Sequence, residues 1–339
     1  MMTNGELNKD KIIIKKPKDV GRLYDKSHFG KTTKGNLLQL DLLEAVFLLD
    51  EKKIDVYSEG KKTTLEQLVK LAANKMPRFN IIYTTYKDLR KRGHAVNLVK
   101  QKNTGFPQLK KDEQFIVTIF SEQDSFNIYL TKKLTKKTSE KKQEAWYAIV
   151  DEEGDITYYN VTSLKVKGEN KEHAFQKTEG YLIDDRVVIF DKKSSENLFK
   201  KEFYGKPFTD GLQLSLIEAL YLVEKKILEV YDINGEKVSK KNLKDTISDL
   251  EFLVFKDLKK LGFIVKTGFK FGADFRAYSC HPDEGHAEYL FHVLDAGFSS
   301  VWSKVSSVVR LAHSVNKEII FAVVDKDRID FVRFGRLKP

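Results

Sequence analysis

The feature that most constrains this chain of 339 residues is that it says one thing twice. Leu38 to Tyr57 reads LQLDLLEAVFLLDEKKIDVY, and Leu212 to Tyr231 reads LQLSLIEALYLVEKKILEVY. The displacement is 174 residues at both ends, with no gap between them (212 − 38 and 231 − 57). Both stretches place apolar residues at helical spacing and end in a β-rich tail. Matching segments precede them, IIIKK from Ile12 and VVIFDKK from Val187. Matching segments follow too, YTTYKDLRKRGHAV from Tyr83 and FLVFKDLKKLGFIV from Phe252. The closing stretches, WYAIVDEEGDITYYNVTSLK from Trp146 and IFAVVDKDRIDFVRFGRLK from Ile320, correspond if one residue is deleted near Arg328. The chain is therefore two tandem copies of one unit, joined through the polar stretch around Lys167 to Gly180.

Each copy divides again. The expected boundaries are 1–76 and 77–168 in copy one, then 169–249 (linker included) and 250–339 in copy two. The second part of each copy opens with a helix whose following glycine, Gly93 or Gly262, can close it in a left-handed cap. In copy two, FIVKTGFKF and FRAYSC then read as a hairpin and AEYLFHVLD as a strand. VWSKVSSVVRLAHSVN reads as an amphipathic helix, followed by the closing strands EIIFAVVD and IDFVRFGRL. The predicted class is α+β with mixed sheets: a small N-terminal α/β subdomain and a C-terminal mixed-sheet subdomain in each copy.

The net charge of +11 suits a polyanionic partner, although a lysine-rich solubility surface would give the same number. The 14 Tyr and 23 Phe offer stacking surfaces for bases, most of them needed for cores. Cys280 stands alone, which excludes a disulfide within the chain and a cysteine-based zinc site and fits a reducing cytosol. MMTNGELNKDKIIIKK has no apolar core of a signal peptide, and no run reaches the roughly 18 apolar residues of a membrane span. A soluble, cytoplasmic protein without a membrane partner is expected.

Chemistry concentrates between Leu261 and Lys317. Tyr278, His286 and Lys317 are three kinds of proton-handling group, and Arg310 lies seven residues before the lysine. Cutting RNA without a metal requires a base for the 2′-hydroxyl, an acid for the leaving 5′-oxygen and a cation for the charge on the phosphate. Tyrosine, histidine and lysine can fill those roles, but their spacing alone does not settle it. Copy one diverges here. It carries NTGFPQLKKDEQFIVTIFSEQDSFNIYL, without histidine, and replaces the helix by the lysine-rich TKKLTKKTSEKKQEA. The segment around Leu130 to Lys142 reads either as an insert that widens RNA contact or as a disordered loop. His94, beside the glycine turn, reads as a surface residue.

GFIVKTGFKFGADFRAY, GHAEYL and RLAHSVNK together resemble the C-terminal domain of the archaeal tRNA-splicing endonucleases, over roughly Phe252 to Val324. The resemblance implies that copy two alone is catalytic, with a nuclease-like C-terminal subdomain. It makes Tyr278 the base, His286 the acid and Lys317 the cation. A tyrosine pKa of about 10 would have to be lowered for that role, with Lys317 the available cause. His281 is the rival acid, His313 a structural residue, and an ordinary helix-end lysine the alternative reading of Lys317. Arg310 is implied to stack on a bulge base, partnered by Arg333 or Arg336. The acidic loop of Asp151, Glu152, Glu153 and Asp155 reads as a plain hairpin turn or, by the resemblance, as the contact that joins two chains into a homodimer with two active sites. The implied substrate is precursor tRNA folded as a bulge–helix–bulge, cut at both intron borders to leave 2′,3′-cyclic phosphate and 5′-hydroxyl ends, with no metal or other cofactor. Two alternatives remain at this point: a metal-dependent nuclease using Asp274 and Glu288, and a non-catalytic RNA-binding or assembly subunit.

Overall fold

The computed structural model describes residues 2–33, 35–99, 105–111 and 114–339. Asn103, Thr104, Asp112 and Glu113, part of the copy-one stretch set against the Tyr278 region, lie outside these. The chain forms two compact units: one holds residues up to Asp124 with Lys137–Asn160 and Leu337–Pro339, the other Ser125–Lys136 and Val161–Arg336.

The first unit opens with a six-stranded sheet. In spatial order its strands are Lys31–Thr33, Leu37–Leu40, Lys11–Ile14, Thr3–Asn8, Ile54–Ser58 and Lys61–Thr63. Asp41 starts the helix Leu42–Asp50 through a capping box: its carboxylate accepts the Glu44 N–H, and Glu44 accepts the Asp41 N–H, both at 2.9 Å. The second unit repeats the plan in five strands, Lys206–Phe208, Gly211–Ser215, Arg186–Ile189, Thr178–Ile183 and Leu228–Tyr231. Ser215 and Glu218 cap its helix Leu216–Glu224 in the same way. Each sheet contains one parallel pair, Thr3–Asn8 with Ile54–Ser58 and Thr178–Ile183 with Leu228–Tyr231. The long helices Phe79–Lys91 and Asp249–Lys260 end at Gly93 and Gly262, whose φ values of 87° and 89° are the expected left-handed caps.

The second part of each copy is a mixed sheet. Copy two has the order Ile264–Thr267, Phe275–Tyr278, Tyr289–Asp295, Glu318–Asp325 and Arg328–Leu337. Its central pair is parallel, with Tyr289 opposite Glu318, and copy one pairs Phe115 with Glu144 in parallel at a displacement of 174 for both residues. Parallel neighbours need a crossover, which the intervening helix supplies. In Glu318–Asp325 the six residues from Ile319 to Val324 are all buried, as expected of a strand covered on both faces. The residue missing from copy two falls in the last turn, Asp151–Asp155 in one copy and Asp325–Arg328 in the other. The class is α+β, as the sequence implies.

One expectation fails. The lysine-rich segment around Leu130 to Lys142 is neither an insert nor a loop but the helix Ile128–Glu140, the counterpart at the same displacement of Trp302–Ser314. After Ile128 its buried positions are Thr131, Thr135 and Thr138, so the apolar period that marks an amphipathic helix is weak. His94 is also misread. It is half-buried, edge-on to Phe115 and Trp146, and burial lowers its pKa.

Candidate active site

Three strands of the second unit bring the predicted residues to one end of a sheet. Tyr278 closes Phe275–Tyr278 and pairs with Ile264. Its neighbour Ala277 faces Tyr289, and Tyr289 faces Glu318 on the next strand. Strands lie about 4.8 Å apart, so Tyr278 and Lys317 stand roughly 10 Å from each other along the sheet. The loop from Ser279 to Glu288 bridges the space between them, and His286 is exposed on it.

Lys317 is not part of the helix. That element ends at Ser314, Asn316 turns with φ 53°, and Lys317 leads straight into Glu318–Asp325. Its ammonium donates to the Ala287 carbonyl at 2.6 Å, one residue from His286, which is not the contact of a lysine soothing a helix dipole. Burial and then the charge of Arg276 lower its pKa below the ordinary lysine value. Phe271 lies under both cations, its ring centre 5.4 Å from the Lys317 ammonium and 6.0 Å from the Arg276 guanidinium.

Arg276 is the site residue that sequence reasoning passed over. Its guanidinium is 5.7 Å from the centre of the Tyr278 ring, so Arg276 is the cation beside the tyrosine. Its Nε is buried with no hydrogen-bond partner among the described residues. The signal was available: residues two apart on a strand share a face, and Arg276 precedes Tyr278 by two. Behind them, Lys266 pairs across the hairpin with Arg276 and donates to Glu218 at 2.7 Å and to the Gly205 carbonyl at 2.8 Å. Burial pushes the Glu218 carboxyl up, but the charge and hydrogen bond of Lys266 outweigh it and the pKa falls below the usual value.

The rival groups separate. His281 lies edge-on to Phe203, which also touches Tyr278, and its Nδ1 accepts the Asp283 N–H. His313, expected to be structural, is exposed. Arg310 is exposed on the helix, bonded to Ser307, with Leu311 exposed beside it. Arg333 is held by Glu318, next to Lys317, at 3.3 Å, whereas Arg336 is exposed further along the last strand. Asp274 accepts the Val293 N–H at 2.7 Å, while Glu288 takes the Ser279 hydroxyl. Four residues of strand rise, about 13 Å, separate their positions along the sheet. Metal–oxygen bonds of 2.0–2.6 Å, the general range for Mg²⁺ and Ca²⁺, cannot join them, so they do not form a shared metal site.

By register, copy one has no counterpart of these residues. Between Ala277 and Tyr289 copy two spends residues 278–288, the stretch with Tyr278 and His286; between Lys111 and Phe115 copy one has only 112–114. Gln143 occupies the place of Lys317, one residue before the paired glutamate. Copy one keeps the acidic tip instead. The Asp151 carboxylate accepts the N–H groups of Glu153 and Asp155, and Glu152, Glu153 and Asp155 are exposed around Gly154.

The catalytic C-terminal domain of tRNA intron endonuclease matches residues 248–331, and the N-terminal domain of tRNA intron endonuclease matches twice, over 3–69 and 178–244. A tRNA-splicing endonuclease of Methanococcoides burtonii is 35% identical over 98% of this chain and 99% of its own length. One from Methanosarcina barkeri is 33% identical with the same coverage. A tRNA-splicing endonuclease of Methanococcus maripaludis is 38% identical and spans only 46% of this chain but 93% of its own, the length of a single copy.

Proposed function

We propose a mechanism for a chain that belongs to the tRNA intron endonuclease family and excises introns from precursor tRNA. Copy two performs the chemistry. Tyr278 takes the proton from the 2′-hydroxyl, and that oxygen attacks the adjacent phosphate. His286 protonates the departing 5′-oxygen, and Lys317 stabilises the charge gathering on the phosphate. The products are a 2′,3′-cyclic phosphate and a 5′-hydroxyl, formed without a metal ion. The observation that carries this reading is the convergence of Tyr278, the His286 loop and Lys317 at one sheet end, tied by the Lys317–Ala287 hydrogen bond.

The finer assignments belong to the same proposal. The substrate is a bulge–helix–bulge RNA, gripped by Arg310 with Arg333 or Arg336. Two chains associate through the acidic tip Asp151–Asp155 of the structural copy, and the protein works in the cytoplasm. The boundary at 168 separates the structural copy from the catalytic one, and those at 76 and 249 divide each copy into its N-terminal and C-terminal subdomains. Among the described residues no helix is long and apolar enough to cross a membrane. The test is product analysis on precursor tRNA. Wild type should leave cyclic-phosphate ends and Tyr278→Phe should slow single-turnover cleavage by about 100-fold or more. Linear 3′-phosphate products at all times, or an unimpaired Tyr278→Phe, would overturn it.

A further inference from the structure

At the mouth of the site one aromatic ring stands almost free. Phe269 is 89% exposed, the most exposed large apolar side chain among the described residues. It is not on a loose loop. The Gly268–Gly272 turn is closed by four backbone bonds: Gly268 N–H to Asp274, Phe271 N–H to Gly268, Gly272 N–H to Phe269 and Ala273 N–H to Gly268. The Thr267 hydroxyl accepts the Phe269 N–H at 3.3 Å. At Gly268 a Cβ would stand 2.6 Å from the Ala273 carbonyl oxygen, and at Gly272, with φ 64°, it would meet Leu311 at 2.9 Å. The turn is thus rigid and lies against the helix one residue beyond Arg310. A side chain held this firmly and left in water forgoes burial that the fold could have supplied.

We propose that Phe269 is a stacking platform for one unpaired base of the RNA, next to the scissile phosphate. The proposal rests on the reading of copy two as the RNA-cutting copy. Position supports it: Phe271, two residues on, lies under Lys317 and Arg276, so a base on Phe269 would sit beside the group that holds the phosphate. Charge supports it as well. Lys270 is part of the turn and Lys317 and Arg276 flank its Phe271, while Asp274, the nearby carboxylate, is turned away to the Val293 N–H and His292. Such surroundings fit a polyanion with a flat aromatic group. Only an unpaired base offers both faces, since bases within a duplex are already stacked.

The experiment uses the full chain and a precursor RNA made uncleavable by 2′-deoxy nucleotides at the cut sites. Phe269→Ala should weaken binding about tenfold, the scale of one base–aromatic stack. Phe269→Leu should lose as much, because it is apolar without a π face, and Phe269→Trp should bind as well as wild type. Abasic substitution of each unpaired nucleotide in turn should reveal one position at which wild type and Phe269→Ala bind equally. Equal binding by Phe269→Ala on intact RNA, full retention by Phe269→Leu, or a loss that persists at every abasic position would overturn the proposal. A change in self-association of Phe269→Ala with unchanged RNA affinity would assign the ring to a second copy of the chain and overturn it too. Wild-type cleavage of unmodified RNA is run in parallel, so that failure of the nuclease reading registers separately.

Discussion

The Lys317 ammonium donates to the carbonyl of Ala287 at 2.6 Å, which ties the cation of the site to the backbone immediately after His286. The bond makes one object of two segments 30 residues apart in sequence. It also fixes what the loop can do: His286 is carried on a strap whose far end is anchored by Lys317, the proposed phosphate-holding cation.

Arg276 follows from the same geometry. Burial and the Arg276 charge both lower the Lys317 pKa, so the ammonium should be lost below the ordinary value of 10.5 as pH rises. Activity is therefore expected to fall on the alkaline side before that pH. In Arg276→Gln the alkaline limb should move up while the maximal rate drops. A pH–rate profile with the limb unmoved would show that Arg276 does not act on Lys317.

The Glu218–Lys266 pair should stabilise copy two strongly. Both side chains are nearly buried, so removing one partner strands a charge; Lys266→Ala is expected to cost about 3–5 kcal/mol in denaturant unfolding. Because the folded Glu218 pKa is depressed, its contribution is present above the unfolded value of 4.5 and is lost as pH falls through the folded one. Replacing both by Gln and Met should recover much of the loss. If Lys266→Ala unfolds at the wild-type midpoint, the pair is unimportant.

Glu44 holds the same capping position in copy one, and the sign reverses. Burial, then Asp41, raise its pKa to about 7, so the folded state takes up a proton that the unfolded state releases near 4.5. This contribution is whole below 4.5 and fades as pH rises toward 7. Thermal unfolding of Glu44→Gln should lose that part of the pH dependence. A wild-type slope retained in the variant would contradict the assignment.

The acidic tip should control assembly. Neutralising it, with Asp151→Asn, Glu152→Gln, Glu153→Gln and Asp155→Asn together, is expected to halve the sedimenting mass at moderate salt, with wild type showing the same loss at high salt. An unchanged mass would place any dimer contact elsewhere.

Most of the fold was legible because duplication supplied an internal control. The strand registers of the two copies agree at the displacement read from LQLDLLEAVF and LQLSLIEALY. What escaped did so for local reasons. Ile128–Glu140 buries threonines, so its period is weak in a search for apolar residues. The helix-end reading of Lys317 stays open in the sequence because only the structure shows that Asn316 turns the chain first. Tyr278, His286 and Lys317 were named through a family resemblance. Arg276 and Phe269 were not, since a strand arginine and a turn phenylalanine declare themselves only once their surroundings are known.

The central claim is best tested by cleaving a bulge–helix–bulge precursor RNA in EDTA under single-turnover conditions, wild type beside His286→Ala. The account predicts that wild type cuts at full rate, leaving cyclic-phosphate ends, and that His286→Ala is slower by about 100-fold or more. A wild type silent in EDTA but active with Mg²⁺, or a His286→Ala variant as fast as wild type, would contradict it.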